Sequence, residues 1–227
     1  MKNSKQLIKK MVGAAMLAAL IVVFQVIGNF ITIGPISINL SLLPIAIGAI
    51  LYGPWVGLFL GVINGFSVMP VSGFFFGINA FATFACCLLK TGLAGFIAGW
   101  VFKLFKNKWT IPEMFISSLL VPVINTGVFT VFALTFFKKG IADAFGIEEG
   151  NFMSFYFLTF IGVNFIFEFL TSLLLSPTLV YVIKVVTKRY DIGDNLGDKL
   201  SFNKKSVEEN GRENEQISTT ENDNQEF

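Results

Sequence analysis

The sequence contains no histidine. That excludes a serine hydrolase built on histidine, a zinc protease with histidine ligands and a haem held by histidine. Cysteine is almost as scarce: Cys86 and Cys87 are the only two, adjacent to each other in an apolar run. Neighbours on one helix point in different directions and two thiolates make a poor metal site, so both read as small buried residues, and no metal or other cofactor is expected. No G-x-x-x-x-G-K-[ST] loop occurs, so the chain carries no ATPase site of its own. Charge is also thin, at 14% of residues, against about 25% in soluble domains.

What fills the chain instead is apolar: 54% of the 227 residues are hydrophobic and 27 are phenylalanine. The apolar runs predict an all-α integral membrane protein with six transmembrane helices, at roughly Leu7–Ile31, Leu40–Leu51, Trp55–Phe66, Ile78–Phe105, Ile111–Phe137 and Phe152–Val186. The first run is too long for the apolar core of a signal peptide and reads as a retained helix. Gly34-Pro35 marks a turn after it. Tyr52-Gly53-Pro54-Trp55 breaks the chain between spans two and three, because proline disfavours helix in the residue before it. Those two spans are short, and one broken helix is the rival reading. Phe66–Gly77 and Lys138–Asn151 read as loops, and span six is longer than a bilayer requires.

The charge pattern decides between two spans and one. Residues 1–190 carry 13 Lys+Arg and 5 Asp+Glu, a net +8; residues 191–227 carry 4 and 10, a net −6. With both termini cytoplasmic and six crossings, Lys2, Lys5, Lys9, Lys10, Lys103, Lys106, Lys108, Lys184, Lys188 and Arg189 all fall inside. Lys138 and Lys139 fall outside beside Asp143, Glu148 and Glu149. This is the positive-inside pattern, and it also sets Trp55, Trp100 and Trp109 at the inner interface. Merging spans two and three would lose that agreement. The chain divides into a membrane domain, 1–190, and an acidic tail, 191–227, too polar to bury a core and expected to be disordered in the cytosol.

Small residues are placed periodically. Gly53, Gly57, Gly61 and Gly65 recur every four residues, and Gly95 and Gly99 repeat the spacing. In lipid such stripes let helix backbones approach closely, so packing inside the bundle accounts for them. Ala14/Ala18 and Ala15/Ala19 form two overlapping pairs of the same kind on the first span.

Against this background the buried polar residues stand out. Lys90 and Glu168 lie about 18–24 Å from the outer ends of spans four and six, near mid-membrane. An unpaired charge at that depth costs several kcal/mol. Two readings stand: a salt bridge fixing the two spans, or charges facing a cavity and holding a ligand. Asn79, Asn125 and Asn164 add neutral polar groups, with Asn164 one turn from Glu168 on the same face. Spans four, five and six thus each offer polar groups to the outer half, which suggests a pocket opening outward. Asn64 reads as a packing residue. The Phe74-Phe75-Phe76 run fits interface anchoring; for Phe75 a lid stacking on a planar ligand remains the alternative.

Leu42-Leu-Pro-Ile-Ala-Ile-Gly-Ala-Ile-Leu-Tyr-Gly-Pro-Trp-Val-Gly-Leu-Phe-Leu-Gly61 resembles the second and third spans of substrate-binding S-components of energy-coupling factor (ECF) transporters. The alanine patch on span one, Leu88-Leu-Lys-Thr-Gly-Leu-Ala-Gly95 and Asn164-Phe-Ile-Phe-Glu168 resemble further segments of that family, and the likeness covers about residues 8–188. The resemblance implies a multi-pass subunit of a bacterial plasma (inner) membrane that is not an enzyme. It would bind a vitamin or related micronutrient near the outer face and dock on a membrane-embedded coupling protein with two ATPase subunits. It implies docking through Ala14, Ala15, Ala18 and Ala19, and gating by the outer loops at Thr32–Asn39 and Phe66–Gly77. Combined with the polar set, it makes Phe75, Asn79, Lys90, Asn125, Asn164 and Glu168 the candidate substrate-binding residues, for a B-group vitamin of pantothenate-like or riboflavin-like kind. The partners expected are thus that small molecule, the coupling and ATPase subunits and the lipid bilayer, with no nucleic acid. A stand-alone ion-coupled small-solute transporter using Glu168 is the alternative from another class.

Overall fold

A computed structural model describes residues 2–30, 32–33, 36–37, 39–104, 110–148, 150–158 and 163–190. The tail at 191–227, the Gly34-Pro35 turn and the segment holding Lys106, Lys108 and Trp109 lie outside the described residues. Helices dominate. They are α1 (Lys2–Phe30), α2 (Leu42–Tyr52), α3 (Pro54–Val68), α4 (Gly73–Ile78), α5 (Ala80–Leu104), α6 (Thr110–Phe132), α7 (Lys138–Phe145), α8 (Phe152–Phe155) and α9 (Val163–Tyr190). Two two-residue strands, β1 (Thr32–Ile33) and β2 (Ile36–Ser37), pair antiparallel between α1 and α2, with Thr32 opposite Ser37.

Among the described residues, five stretches are long and apolar enough to cross a membrane: Leu7–Gly28, Pro54–Ile78, Ala80–Leu104, Pro112–Phe145 and Phe165–Ile183. The helix expected as span two is different in kind. α2 has 11 residues, about 16 Å of rise, half of a hydrocarbon core. It is a buried central rod rather than a lipid-facing span: Ile45, Ala49 and Ile50 are wholly buried, and α2 packs against α1, α3, α5, α6 and α9. It folds back on α3 through Gly53, whose φ of 95° only glycine adopts readily. Pro54 then opens α3 at its first position, where no N–H is needed. A side chain at Gly48 would meet Leu60, and one at Gly57 would meet Ala49, so the two helices run antiparallel. One broken helix is therefore excluded.

The α3 glycines pack where their spacing placed them. Gly57 lies against Gly95, Gly61 against Thr91 and Gly65 against Cys87 of α5, close enough that a methyl group on any of them would collide with backbone. Thr91 Oγ1 donates across this seam to the Gly61 carbonyl at 2.6 Å and also to the Cys87 carbonyl at 3.0 Å. Trp55 at the start of α3 and Trp100 near the end of α5 are both exposed at one end of the bundle, and Trp55 meets Phe96 edge-on at 5.4 Å. That end also carries Lys103.

The end of the bundle opposite Trp55 and Trp100 is more helical than its composition implies. Phe66–Gly77, expected as a loop, continues from α3 through a 3-10 turn at Met69–Ser72 into α4. α6 runs through a π-helical segment at Ala133–Phe137 into α7, which stops at Gly146 in a left-handed conformation. Of span six, the structure describes 152–158, where α8 runs on into a π-helical turn, and α9; residues 159–162 between them lie outside the described residues. Two apolar clusters result. One surrounds α2 and includes Ile21, Leu60, Ala94, Phe102, Val121 and Ile183; the second gathers Cys86, Phe137, Ile141, Phe152 and Tyr156.

Candidate functional site

Between the two apolar clusters lies a polar layer, and helical spacing accounts for it. On α5, Cys86 belongs to the second cluster and Ala94 to the cluster around α2, and Lys90 lies one turn from each. On α6, Val121 belongs to the α2 cluster and Phe129 packs on the second, and Asn125 stands one turn from each. On α3, Asn64 follows Leu60 of the α2 cluster by one turn. Because Gly61 abuts Thr91 and Gly65 abuts Cys87, Asn64 lies level with Leu88, about half a turn from Lys90. The antiparallel α2–α3 register puts this layer level with the start of α2.

Within the layer the expected residues converge. Thr126 Oγ1 donates to Glu168 Oε2 at 3.4 Å, joining α6 to α9. Asn125 engages the same carboxylate through its side chain, and Lys90 acts on it electrostatically. The Lys90 ammonium nevertheless rests over the Phe129 ring, 5.5 Å from its centroid. Lys90 and Glu168 thus attract each other across the layer without touching. The salt-bridge alternative takes the form of a coupled but open pair.

Phe75 reaches the same ring from α4. Its centroid lies 5.5 Å from that of Phe129 and 5.1 Å from that of Phe137. The Phe137 contact depends on the π-helical segment, which adds a residue to the turn and rotates the end of α6 relative to its start. Phe74 meets Phe75 edge-on at 5.2 Å and Phe145 of α7 at 6.4 Å. Phe75, Phe129 and Phe137 thus form an aromatic cluster with the Lys90 cation against it, and Asn125, one turn from Phe129 on α6, joins Thr126 at Glu168.

Two asparagines are placed differently. Asn79 caps α5: its Oδ1 accepts the Ala82 N–H at 3.0 Å, and its carbonyl accepts the Thr83 hydroxyl at 2.8 Å. It is exposed at the start of α5, away from the layer. Asn164 is in α9, one turn before Glu168, and its side chain lies outside the described residues. Cys86 and Cys87 are buried free thiols.

Sequence reasoning missed three contributors. Thr126 and Phe129 share the α6 face with Asn125 by i, i+1, i+4 spacing, a signal present in the sequence but hidden among abundant phenylalanines. Asn64, read as packing, is wholly buried, and both its carboxamide atoms lack a partner. Asn125 Oδ1 is likewise buried without a partner.

On α1 the alanine patch is split. Ala14 is buried and Ala18 packs on the core around α2, whereas Ala15 and Ala19 are exposed. Met11, Val12 and Met16 extend the exposed apolar side of the helix.

Long apolar helices around a layer of polar and aromatic side chains define a multi-pass membrane protein with an internal polar site. The family model for "ECF transporter, substrate-specific component" matches residues 9–182, and the chain belongs to that family. It is a substrate-specific membrane subunit of a transporter, not an enzyme. No curated protein and no solved structure matches the chain.

Proposed function

We propose that this subunit captures a vitamin or related micronutrient at the outer face of a bacterial plasma membrane and imports it with energy from separate proteins. In this reading the chain crosses the bilayer six times with both termini cytoplasmic, α2 making the short second crossing in the shelter of its neighbours. Residues 1–190 form the membrane domain, and 191–227 form a cytoplasmic tail without a role in binding. The partners are a membrane-embedded coupling protein and two ATPase subunits.

The observation that carries this reading is the convergence of α4, α5, α6 and α9 on one layer in a chain of this family. Glu168, held by Thr126 and Asn125, interacts with the Lys90 cation, which rests over Phe129, and Phe75 meets that ring edge-on. Buried polar groups at membrane depth are costly, and a ligand that completes their hydrogen bonds recovers that cost. Lys90, Asn125, Glu168 and Phe75 are the proposed contacts, with Asn164 beside Glu168 and Asn79 at the entrance. Phe75, on the helical segment after α3, is the gate side chain.

The test is mass spectrometry of small molecules released from the full chain, purified alone after growth in vitamin-rich medium. A stoichiometric vitamin establishes the function and names the substrate. A protein that releases nothing, and binds no member of a vitamin panel in calorimetry, sinks the reading.

A further inference from the structure

Hydroxyl groups anchor α9 to the bundle. Among its described residues, the buried ones are Ser172, Ser176 and Ile183. Ile166, Leu170 and Leu174, on the opposite side, are exposed, and in lipid an exposed apolar side adds nothing to adhesion between helices. Two cross-helix bonds join α9 to α6. Thr126 Oγ1 donates to Glu168 Oε2 at 3.4 Å, and the Ser118 and Ser176 hydroxyls are bonded to each other. From the first bond to the second, α6 goes back eight residues and α9 advances eight, so the two helices run antiparallel in a fixed register. The bonds lie about 12 Å apart along the seam. That register sets Ser118, Pro122 and Thr126 opposite Ser176, Ser172 and Glu168, as two i, i+4 ridges.

The serine bridge has a direction. Ser118 Oγ donates its one proton to the Phe115 carbonyl at 2.8 Å, so Ser176 supplies the proton of the bridge. Both serines are buried, Ser176 wholly. Such a bond holds at one translation only: a slide of α9 by one residue moves it about 1.5 Å and turns the hydroxyl about 100° away. Apolar contact is non-directional and sets no such requirement. Stiffness of the helices does not fix the register either. Pro177 directly follows Ser176, and Pro122 lies one turn beyond Ser118. Each withholds an N–H, so the carbonyls of Leu173 and Ser118 lose their intrahelical donor and both helices are softest beside the bridge.

We propose that Ser118 and Ser176 are positioning residues for the candidate site: their bridge, two turns from Glu168, holds α9 on α6 in the one register that brings the Glu168 carboxylate to Thr126 and Asn125. The effect on solute affinity rests on the solute-binding reading above; the effect on Glu168 does not. Neither serine is itself a contact of the solute.

The experiment uses the full chain in lipid nanodiscs and two readouts. Infrared spectroscopy follows the Glu168 carboxyl stretch, identified by its absence from Glu168→Gln, with no solute present. Calorimetry follows affinity for riboflavin or pantothenate, whichever binds. Ser176→Ala removes the bridge and leaves Ser118 bonded to Phe115. It should shift the Glu168 band and weaken binding about threefold to tenfold. Combining Ser118→Cys with Ser176→Cys makes the bridge switchable, because hydroxyls in contact put two sulfurs within reach of a disulfide. Reduced, this variant should behave as Ser176→Ala. Oxidised, with the bond mapped by mass spectrometry against the native Cys86 and Cys87, it should regain the parent band and affinity. Should the cysteine variant not fold, Ser176→Thr, which keeps the hydroxyl, supplies the rescue. A Glu168 band that stays in place in both Ser176→Ala and the reduced cysteine variant overturns the positioning role. A band that moves while affinity holds overturns the link from the bridge to binding. A band that moves in a protein that binds neither vitamin and releases no solute on purification sustains the positioning of Glu168 and overturns the solute-binding reading instead.

Discussion

Lys90 is the residue on which the two readings of the mid-membrane charges separate. Its ammonium lies over Phe129 and interacts with Glu168 through space, so it is neither fully paired nor alone. An aromatic face supplies roughly 1–2 kcal/mol to a desolvated cation, less than a full ion pair would recover. Lys90→Met leaves Glu168 without its balancing charge and should lower stability by on the order of 2 kcal/mol. Adding Glu168→Gln restores neutrality. The double variant should therefore regain most of the thermal midpoint while staying defective in ligand binding. Recovery of both stability and binding would mean that the pair serves only the fold. The sequence marked Lys90, Asn125 and Glu168 because charge and amide are rare in apolar runs. It did not mark Phe129, whose role depends on which of many phenylalanines turns inward, a matter of tertiary packing rather than composition.

At the scale of elements, the contact between α3 and α5 is the rigid seam of the molecule. The glycine stripe brings the two backbones together, and Thr91 adds a cross-helix hydrogen bond to the Gly61 carbonyl. Lipid chains are as apolar as the helices themselves, so close backbone packing of this kind, not water exclusion, holds such a pair. Gly61→Leu would drive a side chain into the Thr91 backbone and should cost about 3 kcal/mol or more, seen as a lower unfolding midpoint in detergent. Gly127→Ala on α6 is the matched control, since a methyl group there meets nothing within 4 Å. It should be neutral or raise stability by up to about 1 kcal/mol. The stripe was legible from spacing alone because a four-residue repeat of glycine fixes a helix face. The segment after α3 was less so. Pro70, Gly73 and Gly77 suggested a loop, yet the structure accommodates them in a 3-10 turn and a short helix, where Gly73 and Gly77 meet no neighbour and their conformational freedom is not used.

At the scale of the whole molecule, a substrate-specific subunit must present a lipid-facing surface to its transport partners. The two sides of α1 differ enough to separate folding from docking. Ala14 is buried and Ala18 packs on the core around α2, and a methyl group on Gly13 would meet the Tyr52 hydroxyl and force that ring to shift. Ala15 and Ala19 look outward among Met11, Val12 and Met16. The four alanines were read from the sequence as one patch, because overlapping i, i+4 pairs do not reveal which pair points inward. Their separation recasts the test. Leucine at Ala14 would overpack the interface with α2 and α3 and should destabilise the subunit by about 1–3 kcal/mol, which confounds any transport measurement. Leucine at Ala15 or Ala19 adds bulk only to the outer face and should leave the unfolding midpoint and ligand affinity unchanged. If this face is where the coupling protein packs, the same substitutions should abolish uptake by the reconstituted complex and prevent co-purification of its other subunits. Uptake that persists with both Ala15→Leu and Ala19→Leu would move the docking surface off α1, to another exposed apolar side of the bundle such as the Leu170–Leu174 side of α9.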